Sequence, residues 1–466
     1  MNKRPNILFL MTDQQQKNTI VPGSQCLTPN LDRLCREGTF FSRAYTTNAI
    51  CSPARASLMT GLLPHNHGMV DCTHTVDDYR ANYRSDKNTL SMQLKSEGYS
   101  AGYFGKWHIE RTMNLGNYGF DEYVTEKDLP RHTPKSIVKK TTVEQKGYGD
   151  TIVCAVSGEK EEDTEEYHIY SKAIDFIERA SKKNEPWFTF VSTRGPHDPY
   201  IVPEEFYSLY DPKTIKQPES FHDRMKDKPG IYRRIKSVWD DLKWEDYQEI
   251  TACYYAFCSL IDAQVGRILK ALEKTGQADN TIVVYTTDHG DFMGAHGLLC
   301  KGVPAFEEVY NIPLVIKWPH SGLKNNTCDT YLNTHDLAPT LLEMAGCRPL
   351  EGIDGSSIVP YIKGEAGLPK RFAFSEFHGQ RFFYTQRIIW EDGYKYVFNG
   401  FDEDEFYDLN KDPHELFNLI DDINYSRIIE GMASKMWGVV KESGDFNLEK
   451  SKYFMFRFAP VGPDGI

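Results

Sequence analysis

The side chains that invite a chemical reading begin with Cys51 and Arg55. They lie in the stretch Asn48-Ala49-Ile50-Cys51-Ser52-Pro53-Ala54-Arg55-Ala56-Ser57-Leu58-Met59-Thr60-Gly61. Pro53 suits the first turn of a helix, where its missing N–H costs nothing, and Ser52 before it is a natural N-cap. The helix continues to Gly61, a residue type that ends helices by entering the left-handed region. Cys51 is thereby expected just outside a helix N-terminus, where free N–H groups and the dipole favour an anion. Arg55 falls near the face that Cys51 approaches. A sulfur at an electropositive helix entrance beside a guanidinium is a reactive address, although an isolated cysteine there is more often a packing residue.

Four further polar clusters each follow a short apolar run. Asp13 follows residues 6–11, Lys106 and His108 follow 99–104, His197 follows 187–192, and Asp288-His289 follows 281–287. Continuous apolar runs of this length are typical of parallel strands buried on both faces. Ligands of open α/β sheets bind beyond the carboxyl ends of such strands, so the clusters are expected at one sheet edge. Asp13, Asp288 and His289 there would hold a divalent cation, with oxygens supplying most of the shell. Lys106 and Lys301 add ammonium groups to the Arg55 guanidinium. His197, in Pro196-His197-Asp198-Pro199, is held rigidly enough to be a positioned proton donor.

The elements that must position these groups alternate along the chain. Helices are expected over 28–38, 89–97, 167–180 and 336–345, with strands over 99–104, 187–192, 281–287 and 312–317. A long amphipathic helix over 250–274 carries Tyr254, Phe257, Ile261, Val265, Ile268 and Leu272 on one stripe, which reads as core. The polar stretches 122–166 and 211–247 read as surface excursions. This alternation indicates an α/β catalytic domain, residues 1–365, built on a large, mostly parallel sheet flanked by helices. Short strands follow at 372–374, 383–390 and 394–398, the last two joined by the hairpin signal Asp392-Gly393, and a helix over 423–440 closes the chain. These form a smaller C-terminal α+β subdomain, residues 366–466.

Composition narrows the function. With 54 basic against 66 acidic residues the formal charge is −12, which argues against nucleic acid or an anionic membrane as a partner. An anionic substrate must then be met by a local cluster of cations. The apolar run after Pro5 is too short for a signal peptide and no run approaches a membrane span, so a cytoplasmic location is the expectation. The 10 cysteines include no Cys-x-x-Cys pair, which suits reduced thiols. Oligomeric state is not legible.

The order Cys51-x-Pro53-x-Arg55, followed by Ala-Ser-Leu-Met-Thr-Gly, resembles the signature of the formylglycine-dependent sulfatases, within the alkaline-phosphatase-like superfamily. Gly105-Lys106-Trp107-His108, Pro196-His197-Asp198-Pro199, Asp288-His289-Gly290-Asp291 and Lys301-Gly302 resemble the family's other motifs in order and approximate spacing. The resemblance runs from Pro5 to about Trp318 and returns in Phe406-Tyr407-Asp408-Leu409. It implies a sulfate monoester hydrolase of the arylsulfatase type, in which Cys51 is oxidised by a formylglycine-generating enzyme to an aldehyde. The hydrate of that aldehyde attacks sulfur, Arg55 holds it, and Lys106, Lys301 and a metal neutralise the sulfate. His197 protonates the leaving alcohol, and His108 is the base that releases the enzyme-bound sulfate. The implied metal set is Asp13, Gln14, residue 51, Asp288 and His289. Gln14 stands where many members have a second Asp, and with the His289 nitrogen it leaves calcium favoured while admitting manganese or magnesium. Steroid, phenol, saccharide and choline sulfates all remain candidate substrates. A phosphonate monoester or phosphodiester hydrolase of the same superfamily is the nearest rival, disfavoured by the Lys106–His108 pair. A non-catalytic binder of sulfated glycans is the rival from another class.

Overall fold

The run Ile7-Leu8-Phe9-Leu10-Met11 offers no polar face to water, and it folds as β1 (Asn6–Thr12), buried along its whole length. The computed structural model describes residues 4–84, 86–129, 134, 136–145, 149–319, 321–365, 367–368, 371–400, 402–449 and 459–463. Positions 1, 366 and 466, the limits expected for the two units, lie outside the described residues.

β1 is the centre of an eight-stranded sheet whose other members are β2 (Thr39–Phe41), β3 (Ser100–Gly105), β4 (Glu122–Thr125), β5 (Trp187–Ser192), β6 (Thr281–Thr287), β7 (Leu314–Lys317) and β8 (Asn326–Cys328). Their spatial order is β8-β2-β7-β6-β1-β5-β3-β4. β6, β1, β5, β3 and β4 are mutually parallel, while β7 runs antiparallel to both neighbours. The sheet is therefore mixed but mostly parallel. Register carries the functional consequence. Thr12 pairs with Thr287, Met11 with Ser192, and Ser192 with Gly105, so four strands end level with one another.

Helices cover both faces. Glu165–Ala180 and the long Trp244–Lys274 pack on one side, where Tyr254, Ile261, Val265 and Ile268 of the expected stripe are fully buried. Cys51–Thr60, Leu90–Ser96 and Leu337–Met344 pack on the other. Among the described residues no helix is long and apolar enough to cross a membrane.

The stretch 122–166 corrects the expectation of a surface excursion. Ile137–Gln145, Gly149–Ser157 and Tyr200–Pro203 form a three-stranded sheet, and Val143, Val153, Cys154 and Val156 are buried in the same core cluster as the long helix. Its charged flanks hid the short apolar run Ile152–Val156, whose burial outweighs local polarity. The C-terminal strands Ala373–Phe377, Gln386–Glu391 and Tyr394–Asn399 appear near their expected places, joined by Glu405–Asp408 into a four-stranded antiparallel sheet. Asp392 (φ 54) and Gly393 (φ 82) make the two-residue turn that the hairpin signal demanded.

This second sheet is fastened to the first unit by buried polar contacts. The N–H of Glu376 donates to Thr47 O, and the Ser375 hydroxyl donates to Thr46 O at 2.6 Å. Glu376 also pairs with Nδ1 of His65 at 2.6 Å, in the short helix Pro64–His67. Burial lowers the His65 pKa, but the Glu376 charge more than reverses this and raises it to about 9. Burial raises Glu376, and His65 with Arg387 outweighs that to hold it well below the usual carboxylate range. The His65 contribution is thus complete below its ordinary 6.5 and fades as pH rises through about 9, while that of Glu376 fades in acid. His65→Ala should cost about 3 kcal/mol at pH 6, measured by denaturant unfolding, and the gap from the parent protein should shrink by pH 10. A gap that is the same at both pH values contradicts this linkage.

Candidate active site

Cys51 is the first residue of its helix, two positions earlier than the sequence suggested. The helix spans Cys51–Thr60 with Ile50 as N-cap, and the N–H of Ala54 donates to Ile50 O at 3.1 Å. Ser52 is not the cap because its hydroxyl is already committed to the N–H of Thr73 at 3.1 Å. Asn48 sets the entry instead, accepting from the N–H of Ile50 at 2.8 Å and donating to Glu376 O at 2.6 Å. Gly61 ends the helix at φ 70, as its type requires.

Around this helix start the level strand ends deliver their side chains. Asp13 comes from the end of β1, Lys106 and His108 from β3, and Asp288 and His289 from β6. Cys51 Sγ lies 3.2 Å from Lys301 Nζ, 3.3 Å from His289 Nε2 and 3.7 Å from Asp13 Oδ1. Arg55 bridges the two carboxylates, donating through Nη2 to Asp13 at 2.9 Å and through Nε to Asp288 at 2.8 Å. Its Nη1 donates to Lys106 O and to Ser192 Oγ, so its hydrogen bonds go to the metal-type donors and the sheet edge. Lys106 Nζ donates to Asp13 Oδ2 at 2.5 Å.

His197 follows β5, its Nδ1 2.7 Å from Asp198 O. Gln14 meets the same cluster through Lys301, the ammonium that also reaches Cys51. Its side-chain oxygen accepts from Lys301 at 2.7 Å, and its amide nitrogen donates to Asp198 and Asp291. His108 Nε2 meets Nδ1 of His74 at 2.5 Å, while its own Nδ1 is buried with no hydrogen-bond partner among the described residues.

The arrangement fits a cation. Asp13, Cys51, Asp288 and His289 place one ligand atom each within 4.8 Å of one another, all buried. Nδ1 of His289 faces Gly290 O at 2.9 Å and carries its proton there, which leaves the Nε2 lone pair aimed at two carboxylate oxygens. Acceptors that converge in this way are stable only with positive charge between them. Burial and the neighbouring Asp13 charge raise the Asp288 pKa above the usual carboxylate value. Burial also raises Asp13, yet Lys106, His197 and Lys301 outweigh it and keep Asp13 well below. Burial raises the thiol of Cys51, and Lys106, Lys301 and His289 reverse this to favour the thiolate strongly. Position 51 is therefore an anion site inside this donor cluster.

Local backbone features hold these groups in place. Gly105 has φ 111, and a Cβ there would meet Ser192 O at 1.9 Å, so only glycine lets β3 pass β5 and turn Lys106 inward. Buried Trp107, packed edge-to-face against Tyr103 and Phe120 and tilted against Tyr118, anchors the residues on either side of it. Gln14 (φ 68) and His108 (φ 54) are left-handed, a conformation costing about 1–2 kcal/mol per side-chain-bearing residue. Two participants escaped the sequence reading. Ser192 is legible in hindsight as the last residue of a strand whose neighbours all end in site residues. Asp291, pushed up to about 6 by burial, braces Gln14 and accepts from Tyr200; it is the last residue of a motif from which only the first two were singled out.

Comparison with known proteins places this geometry. A sequence profile described as Sulfatase matches residues 5–347, and one described as N-sulphoglucosamine sulphohydrolase, C-terminal, matches residues 294–442. The chain is 31% identical to the uncharacterized sulfatase YidJ of Escherichia coli, over 91% of this chain and 85% of that protein. It is 26% identical to the N-acetylglucosamine-6-O-sulfatase of Bacteroides thetaiotaomicron, over 98% of this chain and 89% of the relative. Among solved structures it superposes on a phosphonate monoester hydrolase of Agrobacterium radiobacter with a TM-score of 0.78, at 25% identity, covering 94% of this chain and 96% of the other.

The donor cluster makes a direct prediction. Adding a divalent cation to chelator-treated protein should raise its melting temperature, because the ion relieves repulsion between Asp13 and Asp288. Calorimetric titration of Asp288→Asn should show at least about tenfold weaker binding, the loss expected when a buried carboxylate ligand goes. Unchanged affinity in that variant contradicts the cation assignment.

Proposed function

This chain belongs to the sulfatase family, and we propose that it hydrolyses a sulfate monoester to an alcohol and inorganic sulfate, using a nucleophile made from Cys51. The observation that carries the proposal is the position of residue 51, an anion site between Lys301, His289 and Asp13 at 3.2–3.7 Å. A formylglycine-generating enzyme converts the cysteine to the aldehyde whose hydrate attacks sulfur. Cys51 is 2% exposed in the folded chain, so that partner acts before the helix packs.

Lys106 and Lys301 bind the sulfate oxygens and offset the charge that grows on them, in a buried site where such contacts act strongly. Arg55 keeps Asp13 and Asp288 in register beneath residue 51. His197 gives its proton to the departing alcohol oxygen. Burial pulls its pKa down, but Asp198 and Asp13 prevail and the net shift is upward, which keeps the acid form populated near neutrality. His108, with an unpartnered Nδ1, takes the proton from residue 51 when sulfate leaves. Asp13, Gln14, Asp288, His289 and residue 51 would hold a divalent cation, calcium in the first instance with manganese or magnesium as alternatives, and it would supply Lewis acidity to this centre.

Likeness to the N-acetylglucosamine-6-O-sulfatase supports a saccharide or other small alcohol as the organic part. The structural match to a phosphonate monoester hydrolase keeps that activity as a second reading. The Lys106–His108 pair at the anion cradle favours sulfate over it.

Sulfate release by matured enzyme from p-nitrophenyl sulfate and a panel of sugar sulfates tests the first reading, with phenyl phosphonate esters testing the second. Cys51→Ala should lower turnover at least about 10³-fold with little change in melting temperature. Full activity in that variant removes the proposed nucleophile. His197→Ala should slow alkyl sulfates about 10–100-fold more than activated aryl sulfates. Equal losses across the series count against its role as acid. Bound sulfated glycan with no sulfate release, and a Cys51 left unmodified in cells that supply the formylglycine-generating enzyme, would leave a glycan binder.

A further inference from the structure

Two other groups of metal-binding side chains converge among the described residues. His65, Glu376 and Asp445 form one, but Arg387 already pairs with Asp445 at 2.5 Å and the group is a satisfied ion network. The other is Cys72, His74 and the outer nitrogen of His108. Cys72 Sγ lies 3.4 Å from His74 Nδ1 and 3.6 Å from His108 Nε2, and the two ring nitrogens are 2.5 Å apart.

A tetrahedral ion with bonds of zinc length has sulfur–nitrogen edges of about 3.6 Å and a nitrogen–nitrogen edge of about 3.3 Å. Both sulfur edges already match. The third opens by less than about 1 Å if the exposed His74 ring rotates outward, while Cys72 and His108 stay buried. The loop carrying the first two ligands is pinned on several sides. Thr73 N–H is bonded to Ser52 Oγ, Thr73 O accepts from Arg111 Nε at 2.8 Å, and Asp71 pairs with Arg80. Three neutral-to-anionic soft donors on fixed backbone, with a fourth position open at the surface, are what zinc selects over calcium or magnesium.

We propose that Cys72, His74 and His108 form a second, inhibitory site for a thiophilic divalent cation such as zinc at the mouth of the reaction centre. Binding releases the Cys72 thiol proton to solvent and uses the Nε2 lone pair of His108. The remaining proton of His108 is then fixed on Nδ1, the nitrogen left for residue 51 or a bound sulfate. His108 can still donate a hydrogen bond to sulfate but can no longer accept a proton. The signature is therefore a fall in kcat with KM little changed.

Matured enzyme loaded with its own metal is titrated with cobalt(II) as an optical stand-in, and in parallel assayed with zinc. One equivalent of cobalt should produce a thiolate-to-metal absorption band, and zinc should lower kcat. Cys72→Ser should abolish the band and weaken zinc inhibition at least tenfold. His74→Ala, at an exposed position that leaves folding undisturbed, should weaken both. The inhibition arm rests on the sulfatase reading, but the absorption arm does not, so an inactive preparation whose band is lost in Cys72→Ser still supports the site. No band in the parent protein, or a band and an inhibition constant unaltered in Cys72→Ser, overturns the proposal.

Discussion

Two carboxylates share one buried spot, and the site is built to make that tolerable. Asp13 and Asp288 are each almost wholly out of water, and ions so placed cost several kcal/mol each unless paired. The Arg55 guanidinium lies across both, with Lys106 and Lys301 on the remaining sides of Asp13. Arg55, Lys106 and Lys301 gather three permanent cations at one sheet edge, inside a chain whose overall charge is −12. A sulfate ester is thus attracted by the pocket alone, against the overall field. Lys106, Lys301 and His289 also explain why residue 51, at a helix start, favours an anionic form.

Holding that arrangement is the task of the sheet. Parallel pairing in register ends β1, β3, β5 and β6 at one level, so residues 275 positions apart in the chain, such as Thr12 and Thr287, become neighbours. The turns that leave those ends are not relaxed. Gln14 and His108 adopt left-handed backbone, and Gly105 passes where no Cβ fits. Strain of this kind persists only where surrounding packing over-determines it, here the edge-to-face aromatics around Trp107 and the hydrogen bonds from Arg55 to the sheet edge. A second sheet closes the arrangement from behind, through Glu376, whose carbonyl fixes Asn48 and whose carboxylate fixes His65.

Much of this was legible before any coordinates, and the reason is the same in each case. β1, β5 and β6 are runs with no polar face, and such runs have few alternatives to a central parallel strand. The polar residue that ends each run then has to lie at the sheet edge. What was not legible depended on partners distant in sequence. Ser52 looks like a cap until Thr73 takes its hydroxyl. Arg55 looks like a companion of Cys51 until two carboxylates from other strands claim it. The sheet formed by Ile137–Gln145 and Gly149–Ser157 was masked by lysines and acids on its outer face, because burial of Val153 and Val156 against the long helix is a tertiary effect. The pairing of His74 with His108 joins a loop to a strand end and left no local trace.

The account's central claim is that Asp13, Asp288, His289 and residue 51 enclose a single cation at the point where sulfate is bound. Anomalous diffraction from crystals of matured, manganese-loaded protein grown with sulfate tests it most directly. The account predicts one strong anomalous peak within bonding distance of those four side chains, with sulfate beside it and touching Lys106 and Lys301. A peak elsewhere, or sulfate bound away from residue 51, contradicts it.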